Sequence, residues 1–124
     1  MPGRVKVFFD GGWRPATGME IAVVIRGQEY VRQGLRRGSA MEAEWLALVQ
    51  AVELAGQLGL HEPVFLGDSL AVIGQANGTV NCPDDHLRHL QMLAALHPTG
   101  TLRIRHVKRS QNLAGIALAR RHER

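Results

Sequence analysis

Three of the 11 acidic residues in this 124-residue chain stand where a carboxylate is unusual. Asp10 closes an alternating run in which Val5, Val7 and Phe9 are set against Lys6 and Phe8. Gly11 and Gly12 follow, and glycine lets another backbone or a ligand approach closely, although Asp-Gly is equally an ordinary turn dipeptide. Glu44 shares a helical face with Ala47, Leu48 and Ala51, beside an apolar stripe, whereas Gln50, Glu53 and Gln57 take the outer side. A carboxylate on the inner side costs free energy unless it is paired in a salt bridge or binds a cation. Asp68 ends a short apolar run where a helix begins. It serves there either as an N-cap, in competition with Ser69, or as a carboxylate kept ionised by the helix N-terminus. Hard oxygen ligands of this kind suit Mg²⁺ or Mn²⁺, which keep several waters and bind phosphates. Two such ions about 4 Å apart activate a water and stabilise the departing oxygen when a phosphodiester is cleaved in line. The three carboxylates converge if the first and fourth strands are neighbours in one sheet.

The elements that must position them follow from periodicity. Arg4 to Asp10 alternates as a first strand, which Gly11-Gly12 is expected to end. Glu20 to Arg26 and Glu29 to Leu35 read as two further strands joined through Gly27-Gln28, a hairpin spacing. Ser39-Ala-Met-Glu42 is a capping box opening a helix that ends near Gly59, with Met41, Trp45, Leu48, Val52 and Ala55 as its buried stripe. Pro63 to Asp68 is a fourth strand, and a helix from Ser69 to about Gly78 follows it. Pro83 to Leu96 is helical, Thr101 to Val107 alternates as a fifth strand, and Ser110 starts a last helix. A meander followed by alternating strands and helices gives an α/β domain, a mixed sheet with helices covering its faces.

Four motifs in this order resemble the type-1 ribonuclease H family, over almost the whole chain. Phe8-Phe9-Asp10-Gly11-Gly12 is similar to the family's opening strand, and Ala43-Glu44-Trp45-Leu46-Ala47-Leu48 to its helix motif AE(Y/W)xAL. Leu66 to Ile73 resembles the DSxxVI segment. His106-Val107-Lys108-Arg109 with Asn112 resembles the HVxRxxN stretch before the final helix. The resemblance implies one ribonuclease H-like domain spanning residues 1–124. Its five-stranded sheet has strand order 3-2-1-4-5, the first three antiparallel, with helices on both faces. It implies endonucleolytic cleavage of the RNA strand of an RNA/DNA hybrid, leaving 3′-hydroxyl and 5′-phosphate ends. Asp10, Glu44 and Asp68 would hold Mg²⁺ or Mn²⁺, with Asp10 bridging the ions. Backbone amides in a loop of Gly11 and Gly12 would meet RNA 2′-hydroxyls, and Arg109 and Asn112 would contact or support the substrate strand. One position departs from the pattern: Ile116 stands where the family has a fourth acidic residue. Glu123, two turns further along the same helix face, is a poor replacement. The alternatives are therefore a weak or inactive module that keeps nucleic-acid recognition, or another nuclease on the same fold.

Composition sets the outer limits. The chain is 45% apolar and 21% charged, which suits one globular domain and excludes disorder, collagen and coiled coil. Its longest uninterrupted apolar stretches, Ile21 to Ile25 among them, are far shorter than a membrane span, and Arg4, Lys6 and Asp10 break any signal-peptide core. A cytoplasmic location is expected, consistent with the single Cys82. The formal net charge of +4 is concentrated. Arg103, Arg105, Lys108, Arg109, Arg120, Arg121 and Arg124 face only Glu123 in the last segment, and Arg26, Arg32, Arg36 and Arg37 form a second group. Such placement suits a polyanion, and equally a solvated basic surface. His86 and His89 match no zinc signature and read as a solvated helix face. His106 reads as structural, and Trp45 as core. Trp13 suits either stacking on a base or a staple over the sheet.

Overall fold

The computed structural model describes residues 4–98 and 100–122. Its elements are β1 (Lys6–Arg14), β2 (Gly18–Ile25), β3 (Gln28–Leu35), α1 (Ala40–Gln57), β4 (Val64–Gly67), α2 (Leu70–Asn77), α3 (Leu87–Leu96), β5 (Arg103–His106) and α4 (Leu113–Arg120). Short 3₁₀ turns at Asp84–His86 and Arg109–Gln111 precede α3 and α4. The five strands form one sheet in the order β3-β2-β1-β4-β5. β1 runs antiparallel to β2, and β2 to β3, while β4 is parallel to both β1 and β5.

Alternation along the strands builds two faces. Val7, Phe9, Ile21, Val23, Ile25, Phe65 and Ile104 point to one side, where they meet Trp45, Leu48 and Val52 of α1, Val72 and Ile73 of α2 and Leu93 of α3. Ala22 and Val24 point to the other side and meet Ala114, Ala117 and Leu118 of α4. Small residues on both partners let α4 lie close to the sheet. Both faces are thereby covered, and no helix among the described residues is long and apolar enough to cross a membrane.

Several local expectations need correction. β1 does not stop at Gly11-Gly12 but runs to Arg14, with Gly11 opposite Ile21 and Gly12 opposite Glu20, because β2 is long enough to pair it throughout. The hairpin between β2 and β3 turns at Arg26 and Gly27, both at positive φ, rather than at Gly27-Gln28. Half of the capping box forms: Ser39 Oγ accepts from the Glu42 amide at 3.0 Å. The Glu42 carboxylate instead accepts from Arg36 at 2.7 Å and Arg88 at 3.0 Å, since a charged partner outcompetes the backbone amide. The last helix is capped by Asn112, not Ser110, because residues 109–111 are taken up by the 3₁₀ turn. His89 is buried rather than solvated, its ring stacked on Trp45 with centroids 6.2 Å apart. Trp45 is fully buried, as expected, and its indole N–H donates to Gln75 Oε1 at 2.9 Å.

Candidate metal centre

The parallel pairing of β1 and β4 sets Phe8 opposite Leu66. Two residues further along each strand, Asp10 within β1 and Asp68 just past the end of β4 come side by side. Glu44 arrives from α1, and Gly11 is what admits it. A Cβ at Gly11 would lie 2.2 Å from the backbone C and O of Ala43, so only glycine lets the helix rest directly on the strand. In that contact the Gly11 N–H donates to Glu44 Oε1 at 2.8 Å. Each of the three partly buried residues Asp10, Glu44 and Asp68 offers an oxygen within 4.8 Å of the other two.

Asn112 fixes the third member. Its side chain is fully buried, and its Nδ2 donates to the Phe9 carbonyl at 3.0 Å and to Asp68 Oδ2 at 2.9 Å. Its Oδ1 accepts from the Ala114 amide at 3.1 Å, so one residue ties β1, Asp68 and the start of α4 together. Asn112 thus has its side-chain donors and acceptor engaged within the chain, the arrangement of a supporting residue. The expectation for Gly11 is likewise revised: it is in a strand rather than a loop, and its amide is engaged by Glu44. Gly12 is next to it in the strand, opposite Glu20. Arg109 is exposed, and its positive charge bears on Asp10. Sequence reasoning missed Gly115, whose Cβ would lie 3.2 Å from Asp10 Oδ2. A glycine inside an apolar helix was the available signal. Ile116, beside it, is 41% exposed, and Glu123 lies outside the described residues. Trp13 is 45% exposed at the end of β1.

Burial and mutual repulsion make it costly for Asp10 and Glu44 to ionise beside each other without a cation. Burial, and then the negative charge of Asp10, push Glu44 from 4.5 up to about 9. Burial, and then the charge of Asp68, push Asp10 from 3.8 up to about 7, against the opposing pull of Glu44, Gly11 and Arg109. Hard, oxygen-only donors whose ionised forms are destabilised by one another fit a divalent cation, which takes the place of the shared protons.

A five-stranded mixed sheet with helices on both faces and an acidic triad across β1, α1 and β4 defines a ribonuclease H-like protein with a candidate divalent-metal centre. Residues 8–122 match the family described as Reverse transcriptase-like, and the chain belongs to that family, within the type-1 ribonuclease H group. It is 33% identical over 125 residues to Ribonuclease HI of Halobacterium salinarum, covering 94% of this chain and 63% of that protein. The chain thus spans less than two thirds of that relative's length. The crystal structure of RNase H1 from Halobacterium salinarum superposes with a TM-score of 0.81 at 29% identity, over 94% of each chain. LC11-RNase H1, solved in complex with an RNA/DNA hybrid, superposes with a TM-score of 0.77 at 22% identity over 88% of each chain and shares the fold.

Proposed function

We propose that this chain is a divalent-metal-dependent endonuclease that hydrolyses the RNA strand of RNA/DNA hybrids. The observation that carries the reading is the meeting of Asp10, Glu44 and Asp68, with Glu44 brought over the strand by Gly11. The hybrid bound by the structural relative LC11-RNase H1 supports the substrate class.

Asp10, Glu44 and Asp68 would hold Mg²⁺ or Mn²⁺. When bound, such ions activate a water and stabilise charge on the leaving oxygen. The chain's own residues do the positioning. Gly11 anchors Glu44, Asn112 anchors Asp68, and Arg109 beside Asp10 offers a cation to the phosphate under attack. In the hydrolysis a water oxygen bonds to phosphorus, the bond from phosphorus to the 3′-oxygen breaks, and that oxygen takes up a proton. The products are 3′-hydroxyl and 5′-phosphate ends.

A second reading rests on Ile116, an aliphatic side chain that offers no ligand: a hybrid-binding module with weak or no turnover. Both readings are tested with an end-labelled RNA/DNA hybrid beside matched RNA/RNA and DNA/DNA duplexes, in Mg²⁺ and in Mn²⁺. Cleavage confined to the RNA of the hybrid, and abolished in Asp10→Asn, is the expected result. Retained hybrid binding with no cleavage in either ion would establish the second reading.

A further inference from the structure

Asp10, Phe8 and Lys6 are alternate residues of β1, on the sheet face that α4 covers. At about 3.3 Å per residue, Lys6 stands about 13 Å down the strand from Asp10. A cleft of about 420 Å³ opens there, with Arg4, Lys6, Phe8, Val24, Arg26 and Leu113 in its lining and no carboxylate. Arg4 comes no closer than 4.0 Å to Glu62, and neither Lys6 nor Arg26 forms an ion pair with a described residue.

Arg26 is kept in this cleft against the preference of its own backbone. It and Gly27 turn the chain from β2 to β3 with φ of 52° and 81°. A two-residue hairpin turn with both φ values positive suits Asn, Asp or Gly at its first position, because a longer L side chain crowds the backbone there. What arginine adds is a third cation on the cleft.

Between the cleft and the metal centre, the outer side of α4 is apolar. Leu113 is 43% and Ile116 41% exposed, while Ala114, Ala117 and Leu118 pack on the sheet. Residues three apart are neighbours on a helix surface, so the two side chains form one short ridge. Leu113 lines the cleft at one end, and at the other Ile116 follows Gly115, which lies against Asp10. A row of apolar contacts leading from a centre suited to a phosphodiester into a pocket of cations matches a single nucleic-acid strand, whose sugars and bases offer flat apolar faces and whose phosphates are anionic. The cleft has the volume of a small-ligand site, enough for one nucleotide and not for a duplex.

We propose that a single-stranded flank of bound nucleic acid runs from the metal centre along Ile116 and Leu113 and sets a phosphate among Arg4, Lys6 and Arg26. The proposal rests on the nucleic-acid reading above. At about 3.4 Å per stacked nucleotide, the span from Asp10 to Lys6 corresponds to about four nucleotides.

The test is fluorescence anisotropy of labelled RNA/DNA hybrids, blunt or with single-stranded RNA flanks at either end, in the Asp10→Asn background so that nothing is cut. A flank of about six nucleotides at one end should tighten binding about tenfold and make log K fall more steeply with log salt, by about 0.7 for each added phosphate contact, whereas a flank of about two should add little. Lys6→Gln and Arg26→Asn should remove that gain, and Arg37→Gln, which removes an exposed charge beyond the far end of β3, should keep it. Arg26→Asn relieves the turn, so its unfolding temperature should stay level or rise, and its lost binding is then not misfolding. Flanked and blunt hybrids bound alike, equal losses in Arg26→Asn and Arg37→Gln, or adenosine monophosphate protecting the cleft while flanks add nothing would overturn the proposal. A flank-dependent gain in a chain that cuts no hybrid before Asp10 is replaced would count against the nuclease reading alone.

Discussion

Gly11 shows how one missing side chain can build a site. Its bare Cα lets α1 rest on β1, and its amide then holds the Glu44 carboxylate. Gly11→Ala forces the two elements apart. Overpacking of this kind costs about 1–3 kcal/mol, and here the displaced element carries a metal ligand. Denaturant unfolding should show a loss of that size, together with weakened Mn²⁺ binding. Stability lost with Mn²⁺ affinity unchanged would mean that Glu44 does not depend on the contact. The carboxylates themselves were legible from sequence, because strand alternation and helical spacing place each on an element. The role of Gly11 was not. A Gly pair reads locally as a strand end, and only the tertiary approach of α1 explains why β1 continues through it.

At the scale of elements, Asn112 joins what the chain separates. It caps α4, accepts one backbone amide, and donates to β1 and to Asp68 at the end of β4. Replacing it by alanine leaves the Phe9 carbonyl and the Ala114 amide without these partners and removes the cap. The combined cost should be about 2–3 kcal/mol. Groups that orient metal ligands typically control affinity by tenfold or more, so Asn112→Ala should also weaken Mn²⁺ binding by about that factor. Calorimetric titration checks it, and unchanged affinity would reduce Asn112 to a cap. The ends of α2 were legible because Ser69 and Gly78 cap it by local chemistry. The start of α4 was misplaced at Ser110, since nothing in the local sequence separates a 3₁₀ turn from the helix after it. His89 was misread for a related reason: the indole it stacks on belongs to α1, far away in sequence.

Across the whole molecule, the sheet order turns separate residues into a centre. β1 beside β4 joins Asp10 to Asp68, and α4 crossing β1 and β2 sets Gly115 and His122 over Asp10 and Glu20. The strand order was available through family motifs, but the path of α4 depends on small residues packing on the sheet, so the burial of Glu20 against His122 stayed invisible until the fold was known. The basic C-terminal segment was legible as composition; in the structure Arg120 and Arg121 engage Glu29, which divides it between tethering and exposed charge such as Arg109.

The centre also couples to global stability. Asp10 and Glu44 hold protons in the folded chain up to about pH 7 and about pH 9, whereas unfolding returns their pKa values to the ordinary 3.8 and 4.5. The folded state therefore binds more protons between these limits, and its stability falls as pH rises through them. A divalent cation removes the penalty by replacing the protons. Thermal unfolding from pH 5.5 to 8.5, with and without Mg²⁺, for wild type and Asp10→Asn, tests the metal centre most directly. The metal-free wild type should lose stability toward high pH, and Mg²⁺ should restore it most where the loss is greatest, with the gain much reduced in Asp10→Asn. A metal-free profile that does not fall, with Mg²⁺ shifting wild type and Asp10→Asn equally, would contradict the assignment.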